Sequence, residues 1–118
     1  MKSFLFVMQS AAYEGNKVQE VLDAVLIAAA FDQQVSLLLL DDAVFHLKNN
    51  QQTSPLAVKD ISAIYRSLEL YDIENIYIES ESLVQRGLSL ADLLIPTKTI
   101  NRSQVAALLQ AYDVVLGG

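Results

Sequence analysis

The chain has 118 residues, enough for one ordinary hydrophobic core and too few for two. Its 53% apolar content weighs against disorder, and the complete lack of cysteine excludes disulfides, thiolate nucleophiles and zinc–thiolate centres. The net charge is −6, and the eight Lys and Arg are scattered from Lys2 to Arg102 without a basic stripe, so direct nucleic-acid binding is not expected.

The opening segment, Met1 to Met8, has an apolar run that Gln9, Ser10 and Glu14 soon interrupt. A secretory signal needs about 7–15 apolar residues and a membrane span about 20, so a soluble, cytoplasmic protein with a single domain over residues 1–118 is expected. Phe4 to Met8 reads as a buried first strand, followed by the loop Ala11 to Gly15. Asn16 and Gln19 form a capping-box pattern. From there Val18, Val21, Leu22, Val25, Leu26 and Ala29 recur at helical spacing. Val35 to Leu40, with four consecutive leucines, suits a central parallel strand covered on both faces.

Asp41 and Asp42 close that strand, and Ala43 to Lys48 reads as a short helical turn before a polar loop over residues 48–53. Ser54-Pro55 is a helix start, and Val58, Ile61, Ile64, Tyr65 and Leu68 form the helix's inner stripe. Asn75 to Glu79 is the third strand, and Ser80 to Arg86 a short helix stopped by Gly87. The reading puts a fourth strand at Leu93-Leu94-Ile95, closed by Pro96. Asn101 and Gln104 repeat the capping pattern, Val105, Leu108, Leu109 and Tyr112 face inward, and Val114 to Leu116 is the last strand. Tyr-Asp recurs at two helix-to-strand junctions, Tyr71-Asp72 and Tyr112-Asp113. Alternation of this kind predicts a three-layer α/β/α domain on a mostly parallel five-stranded sheet.

Open α/β sheets bind ligands beyond the carboxyl ends of their strands, which selects residues 9–15, 41–46, 79–82 and 96–99. The first loop has one glycine and lacks both GxGxxG and the P-loop lysine, so no nucleotide cofactor is expected. Asp41, Asp42 and His46, the only histidine, are the best candidates for metal or acid–base work, with Asp42 and His46 at i, i+4 spacing, against the ordinary and preferred reading of the aspartates as helix caps. Glu79 and Glu81 fall on one side of an extended chain and are candidates for paired acid–base chemistry. The alternative, preferred here, is that Ser80 or Ser82 caps the following helix and the glutamates favour its positive end. A serine triad through Ser80 or Ser82 lacks a GxSxG elbow, and no metal site is expected. The terminal Gly117-Gly118 matches the ending of ubiquitin-like carriers, but three helical stripes are too many for that fold.

Four segments carry a family resemblance: Asp41-Asp42-Ala43-Val44-Phe45-His46-Leu47, Leu70-Tyr71-Asp72-Ile73-Glu74, Ser82-Leu83-Val84-Gln85-Arg86-Gly87-Leu88 and Tyr112-Asp113-Val114-Val115-Leu116. In order and spacing they resemble the DsrE/DsrF-like sulfur-relay family, in its TusC (DsrF-like) branch. The resemblance implies a subunit of a heterohexamer with TusB-like and TusD-like partners. Such a complex takes persulfide sulfur from TusA and passes it to TusE, for 2-thiolation of the tRNA wobble uridine. In the sulfur-carrying branch a cysteine precedes the arginine of an Arg-Gly pair by seven residues, and counting back from Arg86-Gly87 lands on Glu79. A carboxylate there forms no persulfide, so the resemblance implies a structural subunit with no catalytic residue of its own. Glu79, Ser80, Glu81, Asp42 and His46 remain the binding or interface candidates.

Overall fold

In the computed structural model, the residues described are 2–9, 17–31, 33–47, 65–71, 73, 75–93 and 95–117; at 17–19, 45–47 and 69 the description covers the backbone only. Five strands form one sheet: β1 Ser3–Met8, β2 Gln34–Leu39, β3 Asn75–Glu79, β4 Lys98–Ile100 and β5 Val114–Gly117. They lie in the order β4-β3-β2-β1-β5 and every neighbouring pair is parallel. The helices are α1 Lys17–Ala30, α2 Ser80–Gln85 and α3 Val105–Gln110, with 3-10 turns at Asp41–Leu47, Leu68–Tyr71, Leu90–Asp92 and Arg102–Gln104. An α/β/α layering on an all-parallel sheet is therefore the architecture.

The strand period of two divides the core between two faces. Phe6 and Met8, Leu37 and Leu39, and Ile76 and Ile78 join one cluster with Leu22 and Val25 of α1 and with Tyr65 and Leu68. Leu5 and Leu38 alternate to the opposite face and are equally inaccessible. There Ser36, also buried, accepts a hydrogen bond from the Tyr112 hydroxyl at 2.8 Å. The leucine run of β2 thus serves both layers, as a central strand must. Tyr65, wholly buried, donates its hydroxyl to Met8 Sδ at 3.4 Å, and burial pushes its phenol well above the ordinary value.

Most elements fall where the periodicity puts them, and β3 coincides end for end. The helix stop at Gly87 is a left-handed residue with φ of +68°. Its N–H bonds the Val84 carbonyl at 3.1 Å and the Leu88 N–H bonds the Leu83 carbonyl at 2.9 Å, the Schellman closure that glycine makes at no steric cost. The fourth strand requires a correction. It is Lys98–Ile100, after Pro96, not Leu93 to Ile95 before it. Leu93 makes one isolated β-bridge, Leu93 and Ile95 pack against the core cluster, and Lys98-Thr99-Ile100 makes the continuous ladder with β3. The inner stripe of α3 is half-buried at Val105, Leu108, Leu109 and Tyr112. Asn16, the loop over 48–53 and the Ser54-Pro55 helix start lie outside the described residues, as does Asp72 of the first Tyr-Asp pair.

The second Tyr-Asp pair pins β5 to the sheet. While Tyr112 reaches Ser36, the Asp113 carboxylate accepts the Ser3 N–H at 2.9 Å and the Ser3 hydroxyl at 3.1 Å. Those bonds hold the Asp113 carboxyl below its ordinary 3.8, the backbone N–H of Ser3 being the largest cause. A carboxyl depressed by folding stabilises the native state above its unfolded pKa and loses that contribution as pH falls through the folded value. Asp113→Asn is therefore expected to lower the urea midpoint near pH 6, with the deficit shrinking as both proteins are titrated down below the ordinary carboxyl range of about 4. A deficit that stays constant with pH would show that the charge contributes nothing.

Candidate functional site

The carboxyl ends of β2, β3 and β4 are joined by one chain of hydrogen bonds, and Glu79 is its centre. Glu79 ends β3 with only 4% of its surface exposed. A single carboxylate oxygen, Oε1, accepts three bonds: from Ser82 Oγ at 2.6 Å, from Arg102 Nη2 at 2.9 Å and from Arg102 Nε at 3.2 Å. Ser82 is fully buried in α2, and its hydroxyl accepts in turn from the Asp41 N–H at 3.0 Å. Asp41 follows the end of β2 with φ of +51°, a left-handed conformation that aspartate tolerates better than most residues. The Ser82 hydroxyl therefore fastens the tight turn leaving β2 to the end of β3.

Arg102 arrives from β4. Glu79 pairs with Ile100 in the parallel register, so two more residues bring the guanidinium over the end of β3. The Glu79 carboxylate beside it holds the Arg102 guanidinium above its ordinary value. The Arg102 N–H is itself accepted by both Glu81 oxygens at 2.9 Å, and the Gln104 side-chain oxygen accepts the Asn101 N–H at 2.8 Å. The Ser80 hydroxyl donates to Glu81 Oε1 at 2.8 Å and, ahead of the Arg102 N–H, keeps the Glu81 carboxyl below its usual range.

These contacts correct the capping reading of this segment. Ser80 is the first residue of α2, its N-cap position is Glu79, and no side chain caps that helix start. Ser82 spends its hydroxyl on Glu79 and Asp41, and Glu81 serves the start of the Arg102–Gln104 turn that leads into α3. Asp41 and Asp42 stand inside the 3-10 turn, not ahead of it, and Asp42 forms an ion pair with Arg86 Nε at 3.0 Å. Asp42 and Glu79 are thus bound to different arginines. The His46 side chain lies outside the described residues.

The arrangement holds strand ends together and leaves its central groups little exposed. A general base needs a reachable lone pair, and a nucleophilic hydroxyl needs an exposed face. Glu79 Oε1 is occupied by three donors, and Ser82, although it hydrogen-bonds a carboxylate as a nucleophile would its base, has no accessible surface. Among the described residues, cavities of about 280 and 260 Å³ are lined by neither Glu79, Ser82 nor Asp42. No three potential metal ligands come together among the described residues, and no described helix is long and apolar enough to cross a membrane.

Sequence reasoning misses Arg102, the principal partner of Glu79. A strand placed at Leu93 to Ile95 puts its carboxyl edge at residues 96–99, several positions too early. The available signal was Thr99-Ile100 immediately before the Asn101/Gln104 capping pair, which marks a strand-to-helix junction with Arg102 inside it.

Comparison with known proteins bears on the fold and the family. The fold superposes on the crystal structure of the ychN protein from E. coli with a TM-score of 0.86 over the whole of both chains at 18% identity, a likeness of fold. In sequence the chain is 34% identical over 116 residues to a "Protein TusC homolog" of Vibrio parahaemolyticus, covering 98% of each. It is 40% identical over 94 residues to the "Intracellular sulfur oxidation protein DsrF" of Allochromatium vinosum, covering 80% of this chain and 69% of that one. The DsrE/DsrF-like family profile matches residues 2–117, from the first residue of the described structure to the end of β5. An all-parallel five-stranded sheet and similarity over nearly the full length lead to one assignment: the chain belongs to the DsrE/DsrF-like family.

Proposed function

We propose that this chain is a non-catalytic structural subunit of a TusBCD-type sulfur-relay complex. In this reading it assembles with TusB-like and TusD-like subunits as a heterohexamer. TusA is the sulfur donor and TusE the acceptor for the complex, and the sulfur serves 2-thiolation of the tRNA wobble uridine. The observation that carries the reading is Glu79. The family resemblance implies a cysteine at this strand end in the sulfur-carrying branch, and here this chain holds a buried carboxylate engaged by Arg102 and Ser82. A thiolate or persulfide brought beside it would meet negative charge, and the chain has no cysteine to supply one. Large apolar side chains left open, among them Phe31 at 73%, Leu70 at 85% and Val84 at 77% exposure, suit a protein that buries surface in an assembly.

Co-expression with TusB-like and TusD-like chains, followed by size-exclusion chromatography, is the test. One species containing all three chains in equal amounts is expected. After incubation with a persulfide donor, sulfur should be found on a partner and none on this chain. A well-behaved monomer that ignores both partners sinks the proposal. An enzyme using Asp42, His46 and Glu79 together has no comparable support, because Asp42 and Glu79 are committed to separate arginines.

A further inference from the structure

The opposite, amino-terminal edge of the sheet holds a second polar site that the relay reading does not use. On the face carrying Ser36, a cavity of about 260 Å³ opens between the starts of β1, β2 and β3 and the end of α3. Its walls include Ser3, Ser36, Asn75 and Tyr77 from the sheet and Leu108 and Tyr112 from the helix side. The volume is below the roughly 300–1,000 Å³ of pockets for drug-sized molecules, so an occupant is small.

The lining is rich in hydroxyl and amide groups, with a lysine at its edge. The Tyr112 hydroxyl donates to Ser36 Oγ at 2.8 Å, and the Tyr77 hydroxyl is close enough to interact with Tyr112. Lys98 of β4, opposite Tyr77 in the register, donates its ammonium to Asn75 Oδ1 and places it 6.0 Å from the centre of the Tyr77 ring. Both residues that steady Lys98 line the cavity, and both are neutral. Among the described residues the two ion pairs are Arg86–Asp42 and Arg102–Glu79, and neither involves Lys98. Asp113, the nearby carboxylate at the end of α3, has its Oδ2 committed to the Ser3 N–H and hydroxyl. An ammonium held by neutral groups at the edge of a hydroxyl-lined cleft is suited to an oxyanion. The lysine offers charge, and phenol and amide N–H groups offer directional donors.

We propose that this cleft binds a small oxyanion, a carboxylate or phosphate group, through Lys98, Tyr77 and Asn75. The site is separate from the Glu79 network at the other end of the same strands, and it stands whether or not the relay reading does.

The test is titration of the isotope-labelled 118-residue chain with inorganic phosphate, and separately with acetate, against sodium chloride at matched ionic strength. Saturable amide shifts confined to Gln34–Ser36, Asn75–Tyr77, Lys98 and Leu108–Tyr112 are expected with one oxyanion or both, with a midpoint in the low millimolar range, about 1–10 mM. The acid that saturates the site tells a phosphate from a carboxylate ligand. Lys98→Gln should weaken binding about tenfold or more and Tyr77→Phe about fivefold, since a bond to a charged partner outweighs a neutral one. Lys98 is exposed, so its variant should retain the wild-type urea midpoint and circular dichroism. Absence of saturation with both anions, an equal response to chloride, or an unchanged midpoint in Lys98→Gln overturns the proposal.

Discussion

Replacing Ser82 by alanine should lower the free energy of unfolding by about 2 kcal/mol, although it removes a single oxygen atom. That oxygen has no solvent exposure and works twice, donating to Glu79 and accepting from the Asp41 N–H. Water cannot take over either bond without opening the end of the sheet. The alanine variant therefore leaves a buried carboxylate with one donor fewer and a backbone N–H without its partner, and it is the unmade bonds that cost stability. For a chain of this length the loss corresponds to roughly 6–12 °C in melting temperature. Ser80→Ala is the control. Its hydroxyl is only part-buried, and its loss falls on Glu81, which keeps the Arg102 N–H, and on an exposed contact with Asn101 Oδ1, so the expected change is under about 0.5 kcal/mol. Combining Glu79→Gln with Ser82→Ala should cost less than the sum of the two by about 0.5–1 kcal/mol, because each breaks the same bond. Strict additivity would mean that the 2.6 Å contact carries no coupling, and the picture of a fastened strand end would fail.

The same network shows how far the amino-acid sequence leads. Periodicity is a local signal, and it locates elements whose burial is strong and one-sided or complete. β2 is legible from its leucines and β3 from Ile76, Tyr77 and Ile78. The third parallel signal, at β4, is only three residues long and lies on the sheet's edge, where a rival apolar run at residues 93–95 competes with it. Nothing in the local pattern says that Leu93 makes only an isolated bridge, that it and Ile95 spend their apolar surface on packing, and that the continuous ladder falls to Lys98–Ile100. The error propagates to the site. Glu79 is found by its place at a strand end, but Arg102 is twenty-three residues away and is brought close only by register. Ser82 is noticed and given the wrong partner, and Glu81, rightly placed in the first turn of α2, has a further partner that goes unseen for a related reason. Capping rules describe contacts within a few residues, whereas Glu81 caps a turn twenty-one residues later and Ser82 reaches back forty-one to Asp41. Residue types suited to a site are visible in the sequence; pairings across strands belong to the fold.

The sheet that aligns these strand ends makes its own quantitative demand. Leu116, Phe6, Leu37 and Ile76 form one row across β5, β1, β2 and β3, paired in register and on one face. The row runs from an edge strand, where Leu116 is 43% exposed, to the centre, where Leu37 is wholly inaccessible. Leu37→Ala should cost about 3 kcal/mol, within the 2–5 found for buried leucines, because strands on both sides and the cluster above prevent collapse into the vacancy. Leu116→Ala removes the same atoms from the same row and should cost less than about 1 kcal/mol, since solvent already touches the side chain and no closed cavity forms. Urea unfolding of the two variants, with unchanged slopes, measures the difference directly. Equal losses in the isolated chain would mean that the β5 edge is packed far more tightly than its exposure implies. The comparison gains a further use within an assembly. If the β5 edge is one of the surfaces a partner subunit covers, the cost of Leu116→Ala rises on complex formation while that of Leu37→Ala stays the same, which separates interface from core along a single row of side chains.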